Sequence, residues 1–366
     1  MKIALHISNL APGGAQQVML RLTGALVQRG HAVTIMPNRA SGFWQASLPE
    51  GAEVIELGAR NLVAAVPRLA QALETSHAEV LLSAMTQANI SAVFAARKVG
   101  VPVVISERHA CSQWLLNQKR GKRFIYRHLL PFAYRRADAI VAQTRASAED
   151  LAGVIGLPAE QIDVIGNPAP DKAPLSDTAP HPWFDGGDPV ILGIGRLEKQ
   201  KNFALLLEAF TRVKGPPRPR LLILGEGSQK AELVALAETL GVADRVAFTG
   251  QVADVHDYLA RAALFVQSSN FEGFPNALLE ALAAGTPVVA TDCLTGPREL
   301  LDEGRLGELV PVGDADAMAT AITRTLAHPG SSRQRKSRAA DFTLDSVTER
   351  FERLLKDVCA SRQPVS

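Results

Sequence analysis

Residues 267–285, from Gln267 to Gly285, read QSSNFEGFPNALLEALAAG. Two carboxylates, Glu272 and Glu280, stand in this stretch with seven residues between them. Gly273, Phe274, Pro275 and Asn276 are turn and loop formers. After them comes an apolar helical run, 277–284, closed by Gly285. Asn276 is placed to be an N-cap, and Gly285 to be the left-handed residue past the helix end. Glu272 then lies on a loop and Glu280 on the second helical turn. Helical side chains lean toward the N-terminus, so Glu280 reaches back toward the loop of Glu272. Between them lie the free N–H groups of a helix start, which favour an anion such as phosphate. Two carboxylates repel phosphate, but they accept paired hydrogen bonds from the hydroxyls of a sugar or ribose. The combination points to a nucleotide-sugar.

A lone pair of glutamates at this spacing is common by chance, and by itself reads as a loop charge and a solvated helix residue. The specific part is the interior together with the next few residues, GFPNALLEALAAGTPVV. With it the chain resembles the retaining glycosyltransferases of family 4, which have the GT-B architecture. The resemblance implies Glu272 at the donor sugar and Glu280 at the nucleotide ribose. It implies that Gly273, Phe274, Pro275, Asn276 and Ala277 belong to the donor side as well.

The rest of the chain alternates strands and helices. KIALHIS (2–8) is a buried strand, Asn9–Gly14 a glycine loop, 15–29 a helix and AVTIM (32–36) a strand, which together make a βαβ unit. Further strands are expected at 53–56, 80–83, 101–106 and 139–142, and the half closes at 163–168. Residues 169–189 (APDKAPLSDTAPHPWFDGGDP) lack periodicity and read as a linker. The second half restarts with strands at 190–195, 220–225, 245–249, 264–267 and 288–291, and helices at 203–213, 229–240 and 277–284. An amphipathic helix at 344–358 ends the pattern. Such alternation specifies parallel, doubly wound sheets. With the resemblance it implies an α/β, GT-B fold of two Rossmann-like domains facing across a cleft. The expected division is a domain 1–168 on the acceptor side, the linker 169–189, a nucleotide-sugar domain 190–342, and a helix and tail 343–366 crossing back to the first domain.

Composition sets bounds. Of 366 residues, 47% are hydrophobic and 21% charged, an ordinary balance for a soluble globular protein. The three cysteines (Cys111, Cys293, Cys359) show no metal-ligand spacing, which fits a reducing, cytoplasmic setting. The N-terminal apolar stretch is too short and interrupted for a signal peptide, and no apolar run reaches the roughly 20 residues of a membrane span. Residues 1–170 hold 17 Lys and Arg against 11 Asp and Glu, whereas the remainder holds 22 against 26. A basic half and an acidic half point to different partners.

Several further groups are candidates for chemistry. Gly195 and Arg196 follow a strand, and Lys201 precedes a helix. A planar guanidinium and a point-charge ammonium suit a diphosphate and the negative charge that builds as it leaves. The pair resembles the family's G-R…K motif, with Lys199 the weaker candidate. Gly225–Glu226–Gly227 serves either a turn or base recognition, and Gln251 lies on a second candidate base-contact loop. Gly13 and Gly14, in GGAQ, let a ligand approach a helix start, and they resemble the family's interdomain loop. Gly296–Leu300 resembles the family's GPREIL element and also serves as a plain helix start.

Ser106–Glu107–Arg108–His109 ends a first-half strand, which the fold places opposite Glu272. Family members often carry a donor-contacting His here. In this chain the matching position is Arg108, with His109 beside it on the acceptor side. ISER also resembles a variant in family members that build bacterial surface glycans. Glu107 is a candidate to activate an acceptor hydroxyl, or else it pairs with Arg108. Residues 119–136 (KRGKRFIYRHLLPFAYRR) interleave Lys119, Arg120, Lys122, Arg123 and Arg127 with aromatic and aliphatic residues. That pattern fits an anionic membrane surface, with Pro131 limiting a continuous helix; nucleic acid is not indicated, since no recognition motif accompanies the charge. Asp314–Ala315–Asp316 opens an Ala-rich helix, so capping explains it, and no metal requirement is expected.

The expected activity is transfer of a sugar, with retention and without metal or cofactor, from a nucleoside-diphosphate sugar, UDP favoured, to a glycan or polyprenyl-linked glycan of the cell surface. Arg196, Lys201 and the start of the 276 helix stabilise the diphosphate. The leaving phosphate assists deprotonation of the acceptor, and Glu272 positions the sugar. A nucleotide-sugar epimerase of the same shape and a non-catalytic nucleotide-sugar or glycan-binding protein are the alternatives.

Overall fold

The structure is a computed structural model that describes residues 1–11, 13–170, 175–213, 218–252 and 254–362. They form two compact units, one of Met1–Pro168 with the segment from Leu344 onward, the other of Ala169–Thr343.

The first unit carries strands β1 (Lys2–Asn9), β2 (Ala32–Arg39), β3 (Glu53–Val54), β4 (Val80–Ala84), β5 (Val103–Ser106), β6 (Ala139–Ala142) and β7 (Asp163–Val164). They pair in parallel in the order β3-β2-β1-β4-β5-β6-β7. Successive side chains of β1 go to opposite faces, as the pleat requires. Ile3, Leu5 and Ile7 join Met19, Leu22 and Leu26 of helix Gly14–Gln28, and Ala4 joins the cluster on the other face. Burial on both faces explains why KIALHIS is so continuously apolar. His6 is fully buried on the second face, with Nδ1 2.7 Å from the Met36 carbonyl and Nε2 3.2 Å from Ser91 Oγ.

The C-terminal helix Leu344–Ser361 returns to this first unit. Val347, Phe351, Leu355 and Val358 form its apolar stripe and join the cluster of Ile3 and Leu5. Arg29 holds the helix from outside, pairing with Asp345 and, at 2.7 Å, with Glu352.

The second unit carries β8 (Val190–Ile194), β9 (Arg220–Leu224), β10 (Val246–Gly250), β11 (Leu264–Gln267), β12 (Val288–Thr291) and β13 (Glu308–Val310). These are parallel in the order β10-β9-β8-β11-β12-β13.

Four local expectations differ from the structure. Asn276 is the first helical residue of Asn276–Ala284 and not its cap; Pro275 holds that place without a side-chain bond. Pro131 does not end its helix, which runs Arg120–Tyr134. Burial of Leu130, Ala133 and Tyr134 around the proline outweighs one missing N–H bond. The described part of 169–189 is anchored to the second unit: Pro182–Asp185 form a 3₁₀ turn whose Trp183 and Phe184 pack on its core. Residues 171–174 of that segment, and 363–366 of the tail, lie outside the described residues. Strand β13 and helix Ser332–Ala340 were not anticipated.

Candidate functional site

In the second unit β8 and β11 are neighbours, and the chain runs outward from them in both directions. This is the topological switch point, where open α/β sheets leave a crevice at the carboxyl ends of the strands. The loop after β8 carries Gly195 to Asn202, and the loop after β11 carries Ser268 to Pro275. The two loops are laced together. Ser268 Oγ donates to the Lys201 carbonyl at 2.8 Å, Asn270 Nδ2 to the Lys199 carbonyl at 2.8 Å, and Gln200 Nε2 to the Phe271 carbonyl at 3.0 Å. The lacing brings Lys201 Nζ to 2.6 Å from Glu272 Oε1, and Ser269 Oγ donates to the same oxygen at 2.5 Å. Glu272 is only 4% exposed, and Thr295 Oγ1 donates to its backbone carbonyl. Sequence reasoning missed Ser268, Ser269, Asn270 and Thr295. The signal was the run SSN directly after a buried strand, since short polar side chains there bind nearby backbone.

Around this ion pair the other donor-side residues take different places. Arg196 is exposed, its Nη2 only 3.4 Å from Gln200 Oε1. Asn276 N–H donates to Phe274, and Leu278 and Leu279 N–H both donate to the Pro275 carbonyl. The Ala277 N–H of the first turn has no acceptor among the described residues. That leaves one donor at the positive end of the helix dipole for an anion. Glu280 is half-buried on the second turn. The Phe274 and Pro275 side chains are turned into the fold. Phe274 is buried edge-on against Phe342, and Pro275 is buried against Gly296. Only their backbone is left to meet a ligand.

Gly225 answers to packing. A Cβ there would stand 2.0 Å from the Gly195 carbonyl oxygen, at a φ of 141°. Its N–H donates to Gly250 at 2.8 Å, so three strand ends meet at this glycine. Gln251 follows as an exposed residue. Asp314 accepts from Ala317 N–H at 2.8 Å, which makes it a helix cap. Arg298 of the GPREL segment pairs with Asp292 and Glu303. A cavity of about 170 Å³ lined by Val288, Glu308, His328 and Arg335 lies at the amino ends of β12 and β13, the edge opposite Glu272.

In the first unit the switch point lies between β1 and β4. Helix Gly14–Gln28 starts there with Gly13 at its cap, no capping side chain and no acid in its first turn. Beyond β4, Met85 holds φ 78°, a strained conformation for a residue with a side chain. Glu107, after β5, is 3% exposed and saturated. Its Oε1 accepts from Thr86 Oγ1 (3.0 Å), Arg108 N–H (2.9 Å) and His109 Nδ1 (3.2 Å), and its Oε2 from Tyr134 OH (2.5 Å). Burial pushes this carboxyl's pKa up, but the His109, Tyr134 and Thr86 bonds together hold it below the ordinary value. A low-pKa, fully bonded carboxylate is a poor proton acceptor, so Glu107 is not placed to activate a hydroxyl. Nor does it pair with the Arg108 guanidinium, which is buried and donates to Asn167 Oδ1 (2.6 Å) and Met19 Sδ (2.9 Å). Arg108 is therefore shut off from an acceptor, while His109 keeps a side chain 44% exposed.

On helix Arg120–Tyr134, Phe124, Ile125 and Phe132 are 68%, 59% and 48% exposed. Lys119, Arg120, Lys122 and Arg127 are exposed beside them. Arg123 differs, because it folds back onto the carbonyls of Leu116 and Gln118. Among the described residues no helix is long and apolar enough to cross a membrane.

The chain is similar to known proteins along most of its length. Residues 13–168 match the family model described as glycosyl transferase 4-like domain, and residues 180–342 the model described as glycosyl transferases group 1. The lipopolysaccharide core biosynthesis glycosyltransferase LpsE of Rhizobium meliloti is 29% identical over 359 residues, covering 94% of this chain and 96% of that protein. Over 198 residues the chain is 34% identical to a Campylobacter jejuni enzyme, N-acetylgalactosamine-N,N'-diacetylbacillosaminyl-diphospho-undecaprenol 4-alpha-N-acetylgalactosaminyltransferase, covering 53% of this chain and 52% of that one. Among solved structures, HepE of Anabaena in complex with UDP matches with a TM-score of 0.81 at 21% identity, over 98% of this chain and all of that one. WaaG, a glycosyltransferase involved in lipopolysaccharide biosynthesis, matches at 0.72 and 18% identity over 96% of this chain and 99% of that one.

Proposed function

The chain belongs to the GT-B glycosyltransferases, both halves of its sequence falling within that family, and on that premise we propose that it moves a sugar from a UDP-sugar to a lipid-linked glycan during cell-surface polysaccharide assembly. The observation that carries this is the Lys201–Glu272 pair, held at the β8/β11 switch point beside an open helix start. A diphosphate competes with Glu272 for the Lys201 ammonium, and the donor sugar's hydroxyls replace that ammonium on the carboxylate. Arg196 and the Ala277 N–H share the negative charge that grows as the diphosphate leaves. Glu272, its Oε1 still held by Ser269 after the ammonium turns to the phosphate, positions the sugar and forms no covalent intermediate. The stereochemical course is retention, and no metal is needed, since the cationic side chains do that work. The relatives support the acceptor class: one acts on a diphospho-undecaprenol glycan and another in lipopolysaccharide core biosynthesis. The UDP in the HepE complex supports the base.

The exposed face of helix Arg120–Tyr134 is the reading's membrane contact. Its first turn gathers cations and holds no acidic residue. Cations at a helix N-terminus oppose the dipole, each at a cost of about 0.3–1 kcal/mol. An anionic lipid surface would remove that cost while the exposed Phe124 and Ile125 enter the interface. Such a surface would put the enzyme on the cytoplasmic face of a membrane.

Thermal stability with UDP, GDP, ADP and NAD separately, in chelator, tests the reading. A nucleotide at 100 times its Kd adds about 2.7 kcal/mol to the native state. A shift with UDP is expected. A shift only with NAD overturns the transferase, a shift requiring magnesium overturns metal independence, and sugar-modified product from donor alone identifies an epimerase.

A further inference from the structure

The cavity of about 170 Å³ at the amino ends of β12 and β13 has no part in the donor chemistry proposed above. Its walls are the turn after Leu301, the end of helix Ala315–Ala327 and the start of helix Ser332–Ala340. Arg335 stands in this wall and is only 4% exposed. Its Nε donates to the Gly285 carbonyl at 3.0 Å and its Nη1 to the Pro329 carbonyl at 2.8 Å. Its Nη2 has no hydrogen-bond partner among the described residues, and no carboxylate among them pairs with the guanidinium. Burial therefore pulls its pKa below the ordinary arginine value with no acid to offset the shift. An arginine keeps its proton in a protein, so the charge stays. A buried charge without a counter-charge is costly, and an anion in the cavity would supply one.

The other charged groups of the cavity are already engaged. Arg305 pairs with Asp302 at 2.5 Å, and Glu308 pairs with Arg324 at 2.5 Å. Those pairs cancel, which leaves the charge of Arg335, with the exposed His328 ring beside it. Thr325 on the same wall is 6% exposed, and its hydroxyl has no partner among the described residues. Ser331 caps the next helix by accepting from Gln334 N–H at 3.3 Å. The Ser332 and Arg333 N–H groups of that first turn have no acceptor among the described residues. Open N–H groups at the positive end of a helix dipole favour an anion. The opposing dipole at the end of helix Ala315–Ala327 is capped by His328 N–H, which donates to the Arg324 carbonyl at 2.8 Å.

We propose that this cavity binds a compact oxyanion of the phosphate class, free or carried by a small phosphomonoester, on Arg335 and the start of helix Ser332–Ala340. Phosphate suits the donors because it brings negative charge and several acceptor oxygens, and a charge-assisted bond to a guanidinium is among the strong ones. The size agrees. An apolar cavity of about 150 Å³ holds benzene, so 170 Å³ takes a phosphate with a few attached carbons. This site goes beyond the transferase reading and does not depend on it. All of its residues belong to the second unit, and none is among the donor-side groups.

The test is calorimetric titration of the full chain with inorganic phosphate and, separately, with glycerol 3-phosphate, at ionic strength held constant with sodium chloride. Saturable binding of at least one is expected, and the tighter of the two identifies the anion's source. Gln334 lines the cavity as an exposed residue, the third of its helix. Glu serves a capping box there as well as Gln does. Gln334→Glu should therefore keep the melting temperature of the free protein, yet weaken the anion's Kd at least about tenfold by placing a like charge beside it. Arg335→Met should also lose binding, with a lower melting temperature because the Gly285 and Pro329 carbonyls lose their donor. Lys201→Met should leave this binding in place, which separates it from phosphate held at the donor site. No saturable binding of either anion by the wild type, or an unchanged Kd in Gln334→Glu, overturns the proposal. Binding lost in Lys201→Met and kept in Gln334→Glu assigns the phosphate to the donor site and overturns it as well. A chain that binds phosphate in the expected pattern but shows no melting shift with UDP keeps this site and loses the transferase reading.

Discussion

Replacing Lys201 with Met should expose how much of the donor site is held together by charge. The substitution leaves the Glu272 carboxylate, 4% exposed, with Ser269 as its remaining side-chain donor. Breaking a buried pair costs about 3–5 kcal/mol because the orphaned charge stays desolvated. Lys201 is 18% exposed on its side chain and Ser269 remains, so the cost falls at or just below that range, about 2–3 kcal/mol. For a unit of this size that is roughly 5–10 °C in Tm. Glu272→Gln should cost less, about 1 kcal/mol, because the freed ammonium can turn to water. The double variant should regain much of the loss, giving a coupling of about 1.5–3 kcal/mol between the two sites. Scanning calorimetry on the four proteins measures it. Repeating the series with UDP reads the second half of the argument: the UDP-induced shift should shrink in Lys201→Met, which has lost the phosphate's cation. Turnover should fall sharply in Glu272→Gln, which keeps the shape but not the charge that orients the sugar. Strictly additive single effects would refute a functional pair in the free protein, and undiminished UDP stabilisation of Lys201→Met would remove that lysine from the phosphate site.

Three further outcomes are expected of the same structure. Gly225→Ala should lower the second unit's stability by at least about 2 kcal/mol and weaken nucleotide binding. Its new Cβ would meet the Gly195 carbonyl oxygen at 2.0 Å, and an unchanged Tm would show that the loops yield freely. Burial lowers the His6 pKa to about 4, below the 6.5 of the unfolded chain, so unfolding takes up a proton between those values. Stability should therefore be full above pH 6.5 and fall by about 3 kcal/mol by pH 4, and this part of the pH slope should vanish in His6→Gln. Flotation with vesicles containing phosphatidylglycerol should recover the protein at low salt, and less of it at 1 M salt or in Phe124→Ser/Ile125→Ser; no recovery by the wild type removes the membrane surface.

What the sequence made legible depended on whether the signal was local. Glu272 announced itself because its neighbours carried turn chemistry on one side and a helical period on the other. Lys201 was legible as a candidate diphosphate cation but not as the partner of Glu272, since that pairing spans 71 positions and exists because β8 and β11 are neighbours in the sheet. The segment Glu107–Arg108–His109 shows the converse limit. All three residues were singled out, but which of them faces inward is set by the loop's path after β5, and that path left the carboxylate and guanidinium buried and the imidazole outside. Helix Ser332–Ala340 was invisible for a different reason. SRQRKSRAA has no apolar stripe, and Arg335 holds it in place by bonding the Gly285 carbonyl at 3.0 Å and the Pro329 carbonyl at 2.8 Å. Hydrophobic periodicity cannot report an element anchored by an arginine.

A sequence specifies a fold when its local preferences agree with its tertiary contacts, and disagreements concentrate where function demands them. The chain breaks such rules at three places. Met85 holds a positive φ with nothing in its own side chain to favour it. Helix Arg120–Tyr134 begins among cations that its dipole repels. Lys201 and Glu272 lose solvation for an attraction that a hydrophobic pair could match in stability. The first and third stand at the carboxyl ends of parallel strands, and the second heads the helix that supplies Tyr134 to Glu107. On the proposed function, two of these leave a charge that a ligand would relieve: a diphosphate for Lys201 and an anionic surface for the helix start. Ordinary stability selection would remove all three, since a glycine, an aspartate and a leucine pair are the cheap replacements. If stabilising substitutions at these places raise Tm while abolishing sugar transfer, the strain is the cost of the site; if they leave transfer intact, the catalytic surface lies elsewhere on the two sheets.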